Sequence, residues 1–264
     1  MRQFVSYPIS EIESFKKKLL YFGQQYKHFS FLISNHYPGS NTEVIAAIDC
    51  INEIRPKSNC FEILKQFYHS QHDWLFGFLS YDLKNETENL FSENPDNIGF
   101  PLMHFFSPKY LFFIGNKQVR IGFLSEHSSK KEIDKLFLAV INSDFQIQNP
   151  KIQVSVIPRV SEEKYISTLS QIKHHIRRGD IYEMNYCIEF FSKKTMIEPA
   201  YTFLKLNNIS QTPFALFYRL NDKYLICASP ERFLKKSGRK IISQPIKGTI
   251  RRGKNTAEDN YLKH

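Results

Sequence analysis

The 264-residue sequence predicts an α+β fold, and three observations carry the prediction. Pairs of apolar, β-branched and aromatic runs are joined by short turn sequences, which is the pattern of antiparallel hairpins. Long stretches with apolar residues at helical spacing lie between those pairs. No G-x-G-x-x-G or P-loop follows any strand-like run, which removes the doubly wound nucleotide-binding folds from consideration.

The elements follow in chain order. Ser10-Glu11-Ile12-Glu13 reads as a capping box opening a helix that carries Phe15, Leu19, Leu20 and Phe22 on one face. His28 to Ser34 reads as a short buried strand, and Trp74 to Leu83 and Met103 to Phe106 as further strands. KYLFFIGNKQVRIGFL is a hairpin whose two runs are separated by Gly115-Asn116-Lys117. Ser129 and Glu132 cap a helix with Ile133, Leu136, Phe137, Val140 and Ile141 on one side, and a strand is expected from Lys151 to Ile157.

Ser161 then serves as an N-cap, with Glu162 and Glu163 in the positive first turn and Tyr165, Ile166, Leu169, Ile172 and Ile176 as an apolar stripe. Arg177-Arg178-Gly179 close that helix. Beyond it Tyr182, Met184, Tyr186, Ile188 and Phe190 alternate with polar residues, so the period changes from helix to strand. Phe214 to Leu220 and Tyr224 to Ala228 flank Asn221-Asp222-Lys223 as a second hairpin, and Phe233-Leu234 and Ile241-Ile242 flank Lys235 to Lys240 as a third.

Composition narrows the function classes. With 24 Phe, 14 Tyr and 42% hydrophobic residues the chain has ample apolar surface for a core, which argues against disorder. No run approaches the roughly 20 apolar residues of a membrane span, and the N-terminus has no apolar signal core. Cys50, Cys60, Cys187 and Cys227 form no C-x-x-C pair, so a reducing, cytoplasmic setting is the expectation.

The net charge of +10 is concentrated in one segment: Lys235, Lys236, Arg239, Lys240, Lys247, Arg251, Arg252 and Lys254 with no acidic residue among them. Nucleic acid is disfavoured as its partner, because the aromatic residues sit in core-like alternation and are not interleaved with Lys and Arg. An anionic small molecule or a solvated loop remain as readings. Within the segment, Pro245 restricts the entry to a turn, Gly248 permits close backbone approach, and Thr249 offers a hydroxyl and an N–H. Positive surroundings depress the pKa of Lys247, which suits an amine nucleophile, although the same residues fit a surface turn lysine. Glu231, at a strand end in Ser229-Pro230-Glu231-Arg232, has the same double reading as proton donor and acceptor or as half of a solvated ion pair. His69, His72 and Asp73 form an H-x-x-H-D run that fits a polar turn better than a metal site.

The stretches GDIYEMN, SPERF and PIKGT, in this order and spacing, resemble the chorismate-utilising enzymes. WLFGFLSYDLKNE and the lysine of PIKGT are similar to the aminodeoxychorismate synthase component I branch, where the anthranilate branch carries Ala at the lysine position. The resemblance implies layered antiparallel sheets flanked by helices, with residues 1–150 as an N-terminal component I-like region and 151–264 as the first part of the chorismate-binding catalytic domain. It implies Lys247 as covalent nucleophile, Glu231 as acid/base group, and Gly248 and Thr249 as substrate contacts. Ser34 and Pro213-Phe214-Ala215 resemble positions that hold tryptophan in some members. The partners implied are chorismate and a glutamine amidotransferase subunit supplying ammonia. The cofactor implied is Mg2+, with ligands expected beyond His264 and none in this chain. On this reading the catalytic domain continues past the last residue of the sequence.

Overall fold

The structure is a computed structural model describing residues 1–38, 42–143, 154–244 and 251–262. It divides into two compact units: Met1–Ile147 with Pro199–His264, and Gln148–Glu198 between them.

The larger unit is built on an eight-stranded antiparallel sheet. Its first elements are β1 (Gln3–Pro8), α1 (Ile12–Gly23), β2 (His28–Ile33), β3 (Val44–Ile54), α2 (Cys60–Gln71) and β4 (Phe76–Leu79). A 3-10 turn at Tyr81–Glu86 precedes β5 (Met103–Gly115), β6 (Gln118–Phe123) and α3 (Lys130–Ile141). The strand order is β1-β6-β5-β3-β2, completed by two strands from far along the chain, β9 (Phe214–Leu220) and β10 (Lys223–Ser229); β4 pairs with the first half of β5.

Period-two alternation separates the faces of this sheet. Phe29, Phe31 and Ile33 of β2, Val44, Ala46 and Ile48 of β3, Phe112 and Ile114 of β5, and Ala215 and Phe217 of β9 share one core. Three helices cover it, through Phe15, Leu19 and Leu20 of α1, Ile133, Leu136, Phe137 and Val140 of α3, and Ala200 and Phe203 of α5 (Pro199–Ile209). A smaller cluster of Phe76, Phe106, Leu111, Tyr218 and Leu220 occupies the other face.

Local chemistry accounts for several elements. Asn116 and Lys117 both adopt positive φ, 51° and 56°, the conformation that a two-residue turn requires to match strand twist, so the β5–β6 hairpin closes on them. The Ser129 capping box forms: the Glu132 N–H donates to Ser129 Oγ at 3.4 Å and the Ser129 N–H donates to the Glu132 carboxylate at 2.7 Å. The box expected at Ser10 does not form, because α1 begins one residue later, with Glu11 at the cap making no side-chain cap bond. The Trp74–Leu83 expectation resolves into the shorter β4 followed by the 3-10 turn, and Met103–Phe106 is the start of a 13-residue strand.

The last part of the larger unit is a separate hairpin of β11 (Arg232–Ser237) and β12 (Lys240–Gln244), turning at Gly238 with φ of +58°, and a short helix α6 (Thr256–Leu262).

The smaller unit holds β7 (Ile157–Pro158), α4 (Glu162–Arg178) and β8 (Phe190–Phe191). Ser161 accepts from the Lys164 N–H at 3.3 Å and Gly179 terminates α4 with φ of +80°, as its sequence predicts. The strand expected over Tyr182–Phe190 contracts to the two residues of β8, paired with β7. A strand needs a ladder partner, and within this unit β7 offers only Ile157 and Pro158. The strand expected from Lys151 begins outside the described residues; among the described ones it is β7, Ile157–Pro158. No residue of α4 is buried; Tyr165 stacks on Tyr186 at 5.4 Å between ring centroids. No described helix is long and apolar enough to cross a membrane.

On the sheet face opposite α1, α3 and α5, a polar network interrupts the apolar cluster. β3 slips register between Cys50 and Asn52, with Asp49 at φ of 63°, which alters the aim of the side chains beyond. There Glu53 Oε2 lies 2.8 Å from both His28 Nε2 and His104 Nε2. His104 is fully buried, and its Nδ1 lies 2.5 Å from the Tyr218 hydroxyl. Burial raises the Tyr218 pKa, so the hydroxyl donates, Nδ1 accepts, and the Nε2–H donates to Glu53. Burial lowers the His104 pKa to about 4 and outweighs the opposing pull of Glu53. Burial alone would raise the Glu53 carboxyl, but hydrogen bonds from Arg55, His104 and His28 overcome it and bring the pKa to about 2.

Two outcomes follow from this architecture. Phe217 is fully buried on β9, with the rings of Phe29, Phe203 and Tyr224 at 5.7–6.0 Å, so Phe217→Ala costs about 3–5 kcal/mol, read as a lower urea midpoint. Both His104 and Glu53 have folded pKa values below their ordinary ones, so the unfolded chain binds protons that the fold does not. Stability therefore falls as pH drops from about 6.5 to 4 through His104 and from about 4.5 to 2 through Glu53. His104→Gln flattens the first of these slopes relative to the parent in urea titrations at successive pH values.

Candidate functional site at the strand ends

Ser34 leaves β2 at the end of the sheet, where its N–H donates to the Glu43 carbonyl at 2.9 Å and its hydroxyl to the Thr42 carbonyl at 3.4 Å. Asn35 and His36 follow with φ of 47° and 59°, the left-handed region that Asn tolerates best after Gly. This turn aims the Asn35 amide at α5 and the β9 entry: its Nδ2 donates to Asn207 Oδ1 at 2.8 Å and to the Thr212 carbonyl at 2.7 Å, and Asn207 Nδ2 donates back at 3.1 Å.

The β2–β9 ladder ends on Ile33 opposite Ala215, which sets Pro213-Phe214-Ala215 beside Ser34. Sequence positions some 180 residues apart are thereby adjacent. The Phe214 ring lies 5.9 Å from the Tyr37 ring, and Thr212 Oγ1 is buried there without a hydrogen-bond partner. Asn35, Tyr37, Asn207 and Thr212 carried no pattern by which the sequence marked them. Their convergence depends on the strand pairing.

Phe214 also touches the next segment. It pairs with Ser229, and the Arg232 guanidinium lies 4.7 Å over its ring. Ser229 Oγ donates to the Glu231 carbonyl at 3.1 Å and accepts from the Glu231 N–H at 3.2 Å, a local turn that sets Glu231 between β10 and β11. Arg232 is paired in register with Gln244, and its Nε donates to Gln244 Oε1 at 2.9 Å. Glu231 thus lies at the same end of the β11–β12 hairpin as Gln244, the residue immediately before Pro245. Lys247, Gly248 and Thr249 lie outside the described residues.

The concentration of positive charge is smaller in three dimensions than in sequence. Arg251 pairs with Glu258 and Arg252 with Asp259, each at 2.8 Å, and the Gly253 and Lys254 N–H groups donate to the same two carboxylates. The acidic first turn of α6, capped by Asn255 on the Glu258 N–H, supplies these partners. Asp73 of the H-x-x-H-D run pairs with Arg2 at 2.8 Å, while His69 and His72 are exposed, so that run gathers no ligand set.

Two groups among the described residues bring three metal-capable side chains together. Glu13, His36 and Glu43 form the first, and there the Lys16 ammonium contacts both carboxylates and occupies the place of a cation. His28, Glu53 and His104 offer two imidazoles and one carboxylate. Mg2+ takes oxygen ligands in octahedral geometry, so neither group fits the ion implied by the sequence motifs.

The comparisons with known proteins agree with the motif order. The sequence pattern of the chorismate binding enzymes matches residues 20–264. The chain is 28% identical over 191 residues to an anthranilate synthase component I-like protein of Synechocystis sp., covering 72% of this chain and 39% of that protein. It is 23% identical over 196 residues to aminodeoxychorismate synthase component 1 of Bacillus subtilis, covering 70% and 42%. The chain therefore spans about two-fifths of the length of these relatives. Its fold is similar to that of the menaquinone-specific isochorismate synthase from Escherichia coli, with a TM-score of 0.60 at 11% identity over 99% of this chain and 57% of that one. With the motifs in order and the family pattern matched over most of its length, this chain belongs to the chorismate binding enzyme family.

Proposed function

We propose that this chain carries the lysine and the acid/base glutamate of an aminodeoxychorismate synthase component I. In that activity chorismate and ammonia give 4-amino-4-deoxychorismate, for p-aminobenzoate and folate synthesis. The observation that supports the reading most is positional: β11–β12 pairing puts Glu231 at the hairpin end from which the chain runs into Pro245-Ile246-Lys247-Gly248-Thr249.

The chemistry divides one hard substitution into two. The neutral Lys247 amine attacks C2 of the ring, both conjugated ring double bonds shift, and the C4 hydroxyl leaves as water with a proton from Glu231. Ammonia then adds at C4, both double bonds shift back, and Lys247 departs from C2, with the Glu231 carboxylate taking the excess proton. Gly248 and Thr249 contact the substrate in this scheme. Ammonia comes from a glutamine amidotransferase partner. Residues 1–150 are the component I-like region and 151–264 the first part of the chorismate-binding domain; β9 and β10 of the second complete the sheet of the first.

A second reading concerns the strand end itself, as a binding module for a free aromatic amino acid. Ser34, Tyr37, the unpartnered Thr212 hydroxyl and Pro213-Phe214-Ala215 converge there.

Two measurements test these readings. In the full-length open reading frame that encodes this chain, the enzyme forms 4-amino-4-deoxychorismate from chorismate and ammonia, Lys247→Ala abolishes it, and Glu231→Gln lowers kcat by about 10²–10⁴. Formation of anthranilate or isochorismate by the parent, or full activity of Lys247→Ala, overturns the assignment. Calorimetry with tryptophan shows saturable heat that Ser34→Ala weakens if the strand end is an effector pocket; its absence removes the second reading.

A further inference from the structure

We propose that His28, Glu53 and His104 form a binding site for a borderline divalent transition cation of the Zn2+ class. The three ligand atoms, His28 Nε2, His104 Nε2 and a Glu53 carboxylate oxygen, all lie within 4.8 Å of one another, on three different strands. They sit at the opposite end of β2 from Ser34, about six residues or 20 Å along the strand.

The donor set selects the ion. Two imidazole nitrogens and one carboxylate suit Zn2+ and its first-row neighbours and do not suit Mg2+ or Ca2+. Ligands must be deprotonated to bind.

The geometry is that of a site collapsed on itself. Each imidazole Nε2 lies 2.8 Å from Glu53 Oε2, whereas ligands bound at 2.0–2.2 Å in a tetrahedron stand about 3.3 Å apart. Opening the cluster by about half an ångström admits the ion. His104 already has the outer partner such a ligand needs: binding at Nε2 moves its proton to Nδ1, which then donates to the Tyr218 oxygen 2.5 Å away as the phenol O–H turns off Nδ1. His28 and Glu53 side chains are 11% and 33% exposed, and Arg55 beside them lines a cavity of about 350 Å³ together with Pro56, Leu220 and Asn221.

Arg55 is the competitor. Its Nη2 lies 2.7 Å from Glu53 Oε2 and 3.3 Å from His28 Nε2, the position that a cation would take. With its side chain 35% exposed it has room to swing into solvent when the ion binds. The site therefore exchanges one cation, the guanidinium, for another.

The test uses the 264-residue chain freed of metal by a chelator. Titration with Co2+ gives one equivalent of visible absorption characteristic of low-coordinate nitrogen and oxygen ligation, and Zn2+ displaces it while excess Mg2+ does not. His28→Gln abolishes the signal, Tyr218→Phe weakens binding about tenfold, and Arg55→Ala, which keeps every ligand, tightens it severalfold. Because His104 is fully buried and its variants can misfold, Arg55→Ala is the decisive variant. No saturable absorption, an Arg55→Ala affinity equal to or below that of the parent, or a signal lost with His69→Gln and kept with His28→Gln overturns the proposal.

Discussion

The antiparallel ladder between β2 and β9 is the constraint on which the rest of this molecule depends. It joins His28–Ile33 to Ala215–Leu220, segments separated by most of the chain, in the interior of one sheet. Closing so large a loop costs conformational entropy that grows slowly with its length, and the buried rings of Phe29, Phe31 and Phe217 on the helix-covered face offset it. Because strand register is exact to the residue, one pairing sets both ends. At one end Ser34 meets Pro213-Phe214-Ala215, and at the other His28 comes beside Leu220, two residues beyond Tyr218.

From that ladder the candidate site is built outward by short-range contacts. Phe214 carries Arg232 on its ring, Arg232 holds Gln244, and the Ser229 turn sets Glu231 at the same end of the hairpin. Each link is modest in energy, and together they convert a distant pairing into the placement of a carboxylate. The same principle operates on the opposite sheet face, where a register slip in β3 turns Glu53 toward two histidines on neighbouring strands.

Electrostatics in this chain are local. The basic run from Lys235 to Lys254 looks like an unbalanced patch in one dimension, yet two of its arginines are matched by the first turn of α6. A carboxylate in that turn accepts from the N–H groups ahead of the helix and pairs with the preceding guanidinium at once. Buried Arg2–Asp73 shows the same locality, and Lys16 holds both Glu13 and Glu43 in contact.

The elements written in short-range chemistry were legible in the linear sequence: the α+β class, the hairpins closed at Asn116-Lys117 and at Gly238, the Ser129 and Ser161 caps, and the order of the three motifs that mark the family. Turns and caps depend on neighbouring residues alone, so local patterning specifies them. The strand over Tyr182–Phe190 and the cap at Ser10 differ: alternation without a ladder partner does not make a strand, and α1 starts one residue past the expected box, at a Glu11 cap without a side-chain bond. What lay beyond the linear reading was juxtaposition. Nothing in the spacing of His28, Glu53, His104 and Tyr218, or of Ser34, Asn207 and Phe214, announces that they meet, because sheet pairing over long separations is decided by the burial of a whole face and not by any local signal.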